Sequence, residues 1–211
     1  MTEMRITDQL DDVERHVADK EHAHVVVLEK TFGEPAEDLW RALTDPEHLG
    51  RWFGTVEGDL RSGGGYRLAE NGLEGSIRAC EKPRHLALTW DEKGESESEL
   101  AVVLTEGQSG TTLTLRHTLA DDEHWRAFGP AATGVGWDGA LASLALFLRG
   151  DPRAEPGRMA QIHQTEEGRE FIGSSAAAWE SAHREAGAGE GEARAAARRT
   201  ASFYRGEEQA G

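Results

Sequence analysis

Between residues 56 and 119 the chain is a succession of short apolar, β-branched runs cut by turn residues, and this pattern limits the possible folds most severely. The runs fall at 56–60, 66–69, 73–80, 85–90, 99–105 and 111–119. Between them lie Ser62-Gly63-Gly64-Gly65, Asn71-Gly72, Lys82-Pro83, a polar tip over 91–96, and the glycines Gly107 and Gly110. These connections are too short for the crossovers that parallel strands require, so the pattern predicts an antiparallel meander. Asn71-Gly72 in particular predicts a type I′ hairpin turn. Leu86, Leu88 and Trp90 share one face of their strand, and Leu113, Leu115, His117 and Leu119 share one face of theirs, with threonines and Arg116 opposite. A sheet with one apolar face needs a cover.

The sequence VGWDGALASLALFLRG supplies it. Trp137, Leu141, Leu144 and Leu148 recur at spacings of 4, 3 and 4, Phe147 widens the stripe, and Gly150 and Pro152 stop the helix. Ahead of the meander, residues 24–32 read as a further strand. Pro35 with Leu39, Trp40 and Leu43, then Asp45-Pro46 with Leu49, Trp52 and Phe53, read as two short helices. Ile6, Leu10, Val13 and Val17, at spacings of 4, 3 and 4, predict a helical arm over 1–22. Residues 158–186 read as helical and broken near Gly168 and Gly173, followed by a hinge at 187–191 and a short helix ending in Phe203 and Tyr204. The expected division is therefore an amino-terminal arm over 1–22, an α+β domain over 23–150 and a helical extension over 151–211. Phe171, Trp179, Phe203 and Tyr204 predict that this extension packs on the core or on a second subunit, because exposed rings are costly.

The 211 residues carry 23 Lys and Arg against 39 Asp and Glu, a formal net charge of −16. Such a surface repels phosphate backbones and anionic headgroups, which argues against nucleic acid as a partner. No run approaches the ~20 apolar residues of a membrane span, and the amino terminus lacks the basic-then-apolar order of a secretory signal. A cytoplasmic location without membrane insertion is the expectation. The single cysteine, Cys80, makes no internal disulfide. Nine histidines include no HExxH or paired Cys/His spacing, so neither a metal nor another cofactor is expected. Gly63-Gly64-Gly65 lacks the Lys-Ser/Thr ending of a phosphate loop, and GxSxG is absent.

The segment LWRALTDPEHLGRWFG, then GGGYRL, GSIRACEKPRHLALTW and the helix at Gly136-Trp137 together resemble one family. It is the bacterial branch of the activators of the ninety-kilodalton heat-shock protein ATPase, homologue-like, within the START-like (SRPBCC) superfamily. The resemblance covers roughly residues 23–150. It implies a helix-grip fold, in which a curved antiparallel sheet of about six or seven strands wraps a long carboxy-terminal helix. It also implies an elongated apolar cavity between the two. Relatives of this fold include carriers of hydrophobic molecules, cyclases and aromatases, and the chaperone activator, so fold alone leaves function open.

Three readings follow from different classes. The first is a protein binding a small hydrophobic molecule, its site lined by Tyr66, Trp90, Trp125, Phe128, Trp137, Leu141 and Leu144, with Trp52 and Phe53 protruding towards the mouth. Such a site calls for an apolar void of at least ~300 Å³. Each of these residues also suits ordinary core packing. His117, the polar member of an apolar strand face, is either a cavity group that orients a ligand or moves a proton, or a histidine held by hydrogen bonds near a strand end. The second reading is a stress-response module acting on a chaperone. The third is a cyclase-type enzyme using His117 or Tyr66 for proton transfer.

Overall fold

The structure is a computed structural model and describes residues 5–90 and 98–207. Eight strands form one sheet: β1 (Glu14–Lys20), β2 (Ala23–Phe32), β3 (Val56–Gly58), β4 (Gly65–Leu68), β5 (Glu74–Glu81), β6 (His85–Trp90), β7 (Ser98–Gly107) and β8 (Gly110–Ala120). Their spatial order is β1-β2-β8-β7-β6-β5-β4-β3, and every pairing is antiparallel. The first long strand thus closes against the last, and α1 (Ala36–Thr44) and α2 (Pro46–Trp52) fill the connection from β2 to β3. Register places Leu28 opposite Leu115, and Leu115 opposite Val102, so the alternating apolar residues of three strands make one continuous face.

Helix α4 (Ala131–Leu148) lies on that face, and Leu144 and Leu146 are fully buried. The sequence stripe would leave its far side in water, yet that side of α4 is largely buried too. The carboxy-terminal helices α5 (Pro156–Ile162), α6 (Glu166–Glu185) and α7 (Glu190–Tyr204) provide that cover, and Phe171, Ile172 and Trp179 of α6 are essentially inaccessible. By length and composition alone α4 could cross a membrane, but most of it is buried within the protein. Tyr204 donates its hydroxyl hydrogen to the Ala132 carbonyl (2.8 Å) and Arg199 Nε donates to that of Ala127 (2.6 Å), tying α7 to the start of α4 and to α3 (Glu123–Phe128).

Asp138 is the pin of this second layer. It is 1% exposed, on the side of α4 turned to α6. Arg15 of β1 donates to it from Nε (3.2 and 3.1 Å) and Nη2 (3.0 Å), Ser175 Oγ donates at 2.6 Å, and Trp179 Nε1 at 3.0 Å. Burial pushes the carboxyl above its ordinary range, while Arg15 and the hydrogen bonds from Ser175 and Trp179 pull it down. One turn earlier, Gly134 lets Trp179 approach: a Cβ there would meet the indole at 2.1 Å. Gly134→Ala is therefore expected to destabilise the fold by about 1–3 kcal/mol, outweighing the ~1 kcal/mol gain in helix propensity. Urea denaturation of the two proteins measures the difference.

Four sequence expectations change. Residues 1–22 are not a helical arm among the described positions. Ile6–Leu10 forms one 3₁₀ turn, then β1 pairs along the whole of β2, since a free sheet edge is a stronger attractor than a two-turn helix with a narrow apolar stripe. This adds an eighth strand to the seven read from the sequence. Asn71-Gly72 does not make a two-residue type I′ turn, because only Gly72 takes positive φ (74°) and the loop closes through Leu68 N–H to Leu73 C=O (2.8 Å). The stretch from Asp121-Asp122-Glu123 to Pro130 reads as a loop in the sequence, yet residues 123–128 form a helix, capped by Asp122, whose Oδ1 accepts from Trp125 N–H (2.9 Å). Finally, α6 runs unbroken through Gly168 and Gly173. The interruption falls at 163–165, where Thr165 Oγ1 caps Gly168 N–H (3.2 Å) and a Cβ on Gly168 would strike the Ile162 carbonyl oxygen at 2.2 Å.

Candidate functional site

Between the concave sheet face and α4 lies a cavity of about 120 Å³. Trp52, Phe53, Tyr66, Trp90, Trp137, Leu141 and Leu144, all expected as lining, do surround it. The sheet adds Leu86 and Leu88 from β6 and Leu100 and Val102 from β7, legible as alternating positions; Leu43, read in the sequence as the apolar face of the first short helix, and Ala140 of α4, which no sequence signal marks, complete this part of the wall. The volume falls short of the ~300 Å³ expected for a ligand pocket. Large rings meeting across the curve occupy the difference: Trp90 lies 5.1 Å from Trp137 and 6.5 Å from both Phe53 and Tyr66, centroid to centroid. An apolar cavity of ~150 Å³ stays dry and accepts benzene, so this one has the size of a single small ring.

The polar ends of Trp52, Tyr66 and Trp137 are engaged, which leaves their apolar bodies towards the void. Tyr66 donates its hydroxyl hydrogen to the Thr89 carbonyl (2.7 Å), lying over Gly75, where a Cβ would fall 2.7 Å from the ring. Trp52 Nε1 donates to the Ala42 carbonyl (2.9 Å), and the Trp52 carbonyl accepts from Ser143 Oγ of α4 (2.8 Å), locking α2 to the long helix.

His117 sits just beyond the apolar cavity and does not line it. Trp137 Nε1 donates to its Nδ1 at 3.0 Å. Because an indole can only donate, Nδ1 is the acceptor and the ring proton is on Nε2, which faces Ser98 Oγ at 3.1 Å. Ser98 in turn donates to the Trp90 carbonyl (2.7 Å). The chain Trp137–His117–Ser98–Trp90 is satisfied only while the imidazole is neutral. Burial agrees with this, lowering the His117 pKa to about 4. Of the two sequence readings, the hydrogen-bonded histidine near a strand end describes this geometry, with the added role of holding Trp137.

Trp125 stands apart from the apolar cavity. Its ring stacks on His24 (4.0 Å, 6°) and meets His183 edge-on at 6.0 Å, bordering a second cavity of about 260 Å³ with Trp90, Ser98, His117, Asp122 and Thr133. Phe128 lines neither cavity. It closes α3 against His124 (5.0 Å) and Phe203 of α7 (6.3 Å), since the extension gives it an apolar neighbour that the core reading lacked. Cys80, although flanked by Arg78, Glu81 and Lys82 in the sequence, borders the apolar cavity, because β5 turns it to the concave face. Among the described residues no three His, Cys, Asp or Glu side chains are grouped as metal ligands.

Comparison with curated proteins returned no match. Solved structures do match. The crystal structure of CalU16 from Micromonospora echinospora is 34% identical, covers 75% of this chain and 92% of its own, and superposes with a TM-score of 0.56. The solution structure of CalU16 gives 31% identity, 86% and 100% coverage and a TM-score of 0.62. MLL2253 from Mesorhizobium loti follows at 26% identity, 60% and 98% coverage and a TM-score of 0.51. These neighbours carry the helix-grip architecture, consistent with an antiparallel sheet closed on a long helix. The model of the activator of Hsp90 ATPase homolog 1-like proteins matches residues 34–149, from the first short helix to the end of α4 and more than half of the sequence, and the chain belongs to that family.

Proposed function

We propose that this protein binds a compact hydrophobic molecule in the cavity between the sheet and α4. The observation that carries the reading is the lining itself. Seven aromatic and aliphatic side chains predicted from the sequence converge on a void whose walls are almost wholly apolar, with the Trp52 and Trp137 N–H and the Tyr66 O–H turned to protein acceptors. An apolar void is costly to keep empty, and filling it restores the lost dispersion contacts. Tyr66 and His117, the groups a cyclase mechanism would use, both have their polar atoms committed to other residues, which favours binding over proton transfer. The family's name raises a chaperone partner. Among the described residues, however, Phe203 is the one large apolar side chain that is mainly exposed, at 68%, a small footing for a protein interface.

Toluene, titrated into the full-length protein and followed by saturation-transfer NMR, tests the proposal. Binding in the millimolar range or tighter, ~4 kcal/mol or more, is expected. Ala140→Phe, which puts a benzyl group into the void from α4, should weaken it at least tenfold while leaving the fold intact. No toluene signal, or equal binding by the filled variant, would remove the cavity as a site.

A further inference from the structure

One face of β2 alternates Val26, Leu28, Lys30 and Phe32, and all four are buried. The lysine is the odd member of that row. It is 6% exposed, its Nζ donates to the Gln9 carbonyl at 2.9 Å, and among the described residues no carboxylate forms an ion pair with it. An ammonium has three donors, so one carbonyl is sparse compensation for a buried charge. Burial accordingly holds the Lys30 amine below the ordinary lysine range; Asp12 and Asp138 oppose this, and Arg149 and Arg15 reinforce it. The basic residues of this chain are mostly arginine, 19 against the four lysines Lys20, Lys30, Lys82 and Lys93. Arginine stays protonated in proteins, whereas a buried lysine sheds its proton readily and becomes a neutral nucleophile.

Lys30 also borders a cavity of about 470 Å³, distinct from the apolar one and bounded by β2, the 3₁₀ turn at 6–10 and the end of α4. This exceeds the ~300 Å³ at which ordinary ligand pockets begin. The wall includes the carboxylates of Asp8, Asp12 and Glu34, the Arg149 guanidinium, and Leu148. An amine placed in such a space is set up for condensation with an aldehyde. The nitrogen lone pair bonds to the carbonyl carbon while the C=O π pair moves to oxygen, which gains a proton as nitrogen loses one. The carbinolamine then expels its hydroxyl together with the second nitrogen proton as water, and the C=N bond closes. Neither oxidant nor reductant is consumed. Three acids to one arginine in the wall, within a chain of net charge −16, disfavour a carboxylate or phosphate on that aldehyde, whereas hydroxyls donate well to carboxylates.

We infer that Lys30 is a covalent binding site, forming an imine with a small hydroxylated aldehyde in this polar cavity. The site is separate from the proposed apolar one, and neither depends on the other. In the test, the full-length protein is incubated at pH 7 with glyceraldehyde and cyanoborohydride, which reduces an imine to a stable secondary amine, and the labelled lysines are quantified by peptide mass mapping. Lys20, which is exposed, and Lys82, whose side chain is 62% exposed and paired with Glu37 (2.9 Å), serve as references. Lys30 should be labelled at least tenfold faster than either, at a rate that saturates with glyceraldehyde while theirs rise in proportion to it. Propanal, of similar chain length and without hydroxyls, should lower the ratio of Lys30 to Lys82 labelling at least threefold. Lys30→Arg, which keeps a donor for the Gln9 carbonyl and cannot form an imine, should lose the fast label and retain the slow ones. Labelling of Lys30 no faster than of Lys20, a rate that does not saturate, an equal ratio with propanal, or a fast label that survives Lys30→Arg would each overturn the inference. Toluene binding in the apolar cavity is unaffected by any of these results, so failure here leaves the proposed function standing.

Discussion

Asp138→Ala is expected to cost about 3–5 kcal/mol of folding stability, the range for stranding one partner of a buried ion pair. The Arg15 side chain is 8% exposed and its main anionic partner would vanish, while Ser175 Oγ and Trp179 Nε1 would lose their acceptor in a site closed to water. Asp138→Asn separates the contributions. The amide oxygen can still accept from Ser175 and Trp179, so its loss should be smaller than alanine's and confined to the Arg15 side. A double variant, Arg15→Met with Asp138→Asn, should recover part of that loss, because no charge is then left buried alone. Urea denaturation of these proteins, with Arg15→Met alone completing the cycle, gives the coupling. Equal stability of Asp138→Ala and the parent would mean that α4 and α6 are held by apolar packing alone.

Acid should destabilise the protein through His117 well before the carboxylates dominate. Its pKa is about 4 in the folded protein, against ~6.5 for an unperturbed histidine. Between those values the unfolded chain binds the proton and the folded one does not. Stability is therefore full above pH ~6.5 and drains as pH falls towards 4, by about 3 kcal/mol once both states are protonated. The cause is burial, which disfavours the charged ring, and an imidazolium would in addition confront the Trp137 N–H with another N–H. His163 and His183, both lowered by burial, act in the same direction, so the comparison must be with a variant. His117→Phe should start about 1–3 kcal/mol less stable at pH 7, with the Trp137 N–H unsatisfied, and lose correspondingly less between pH 6.5 and 4. Parallel curves for the two proteins across that range would place the acid sensitivity elsewhere.

The meander was legible because its signals are local: a period of two over Leu86, Leu88 and Trp90, and glycine or proline at each reversal. The concave face followed from the same alternation, which is why Tyr66, Trp90, Trp137, Leu141 and Leu144 meet around one void. What could not be read depends on contacts between distant segments. Residues 14–20, ERHVADK, hold little apolar character and form a strand only because the edge of β2 is available. Asp138 reads as an ordinary polar residue in an apolar helix until Arg15, Ser175 and Trp179, far apart in sequence, converge on it. Phe128 and Trp125 look alike in sequence, and only the placement of α7 and of His24 sends them to different neighbours. The cavity's volume is set by how five rings interleave, information that no residue pattern carries.

Xenon, which enters dry apolar voids without hydrogen bonding, probes the central claim most directly. Crystals of the full-length protein pressurised with the gas should show an anomalous peak enclosed by Trp90, Trp137, Leu141 and Leu144. In Ala140→Phe crystals that peak should be gone. A void that takes up no xenon, or a peak unchanged by the added benzyl group, would contradict the account.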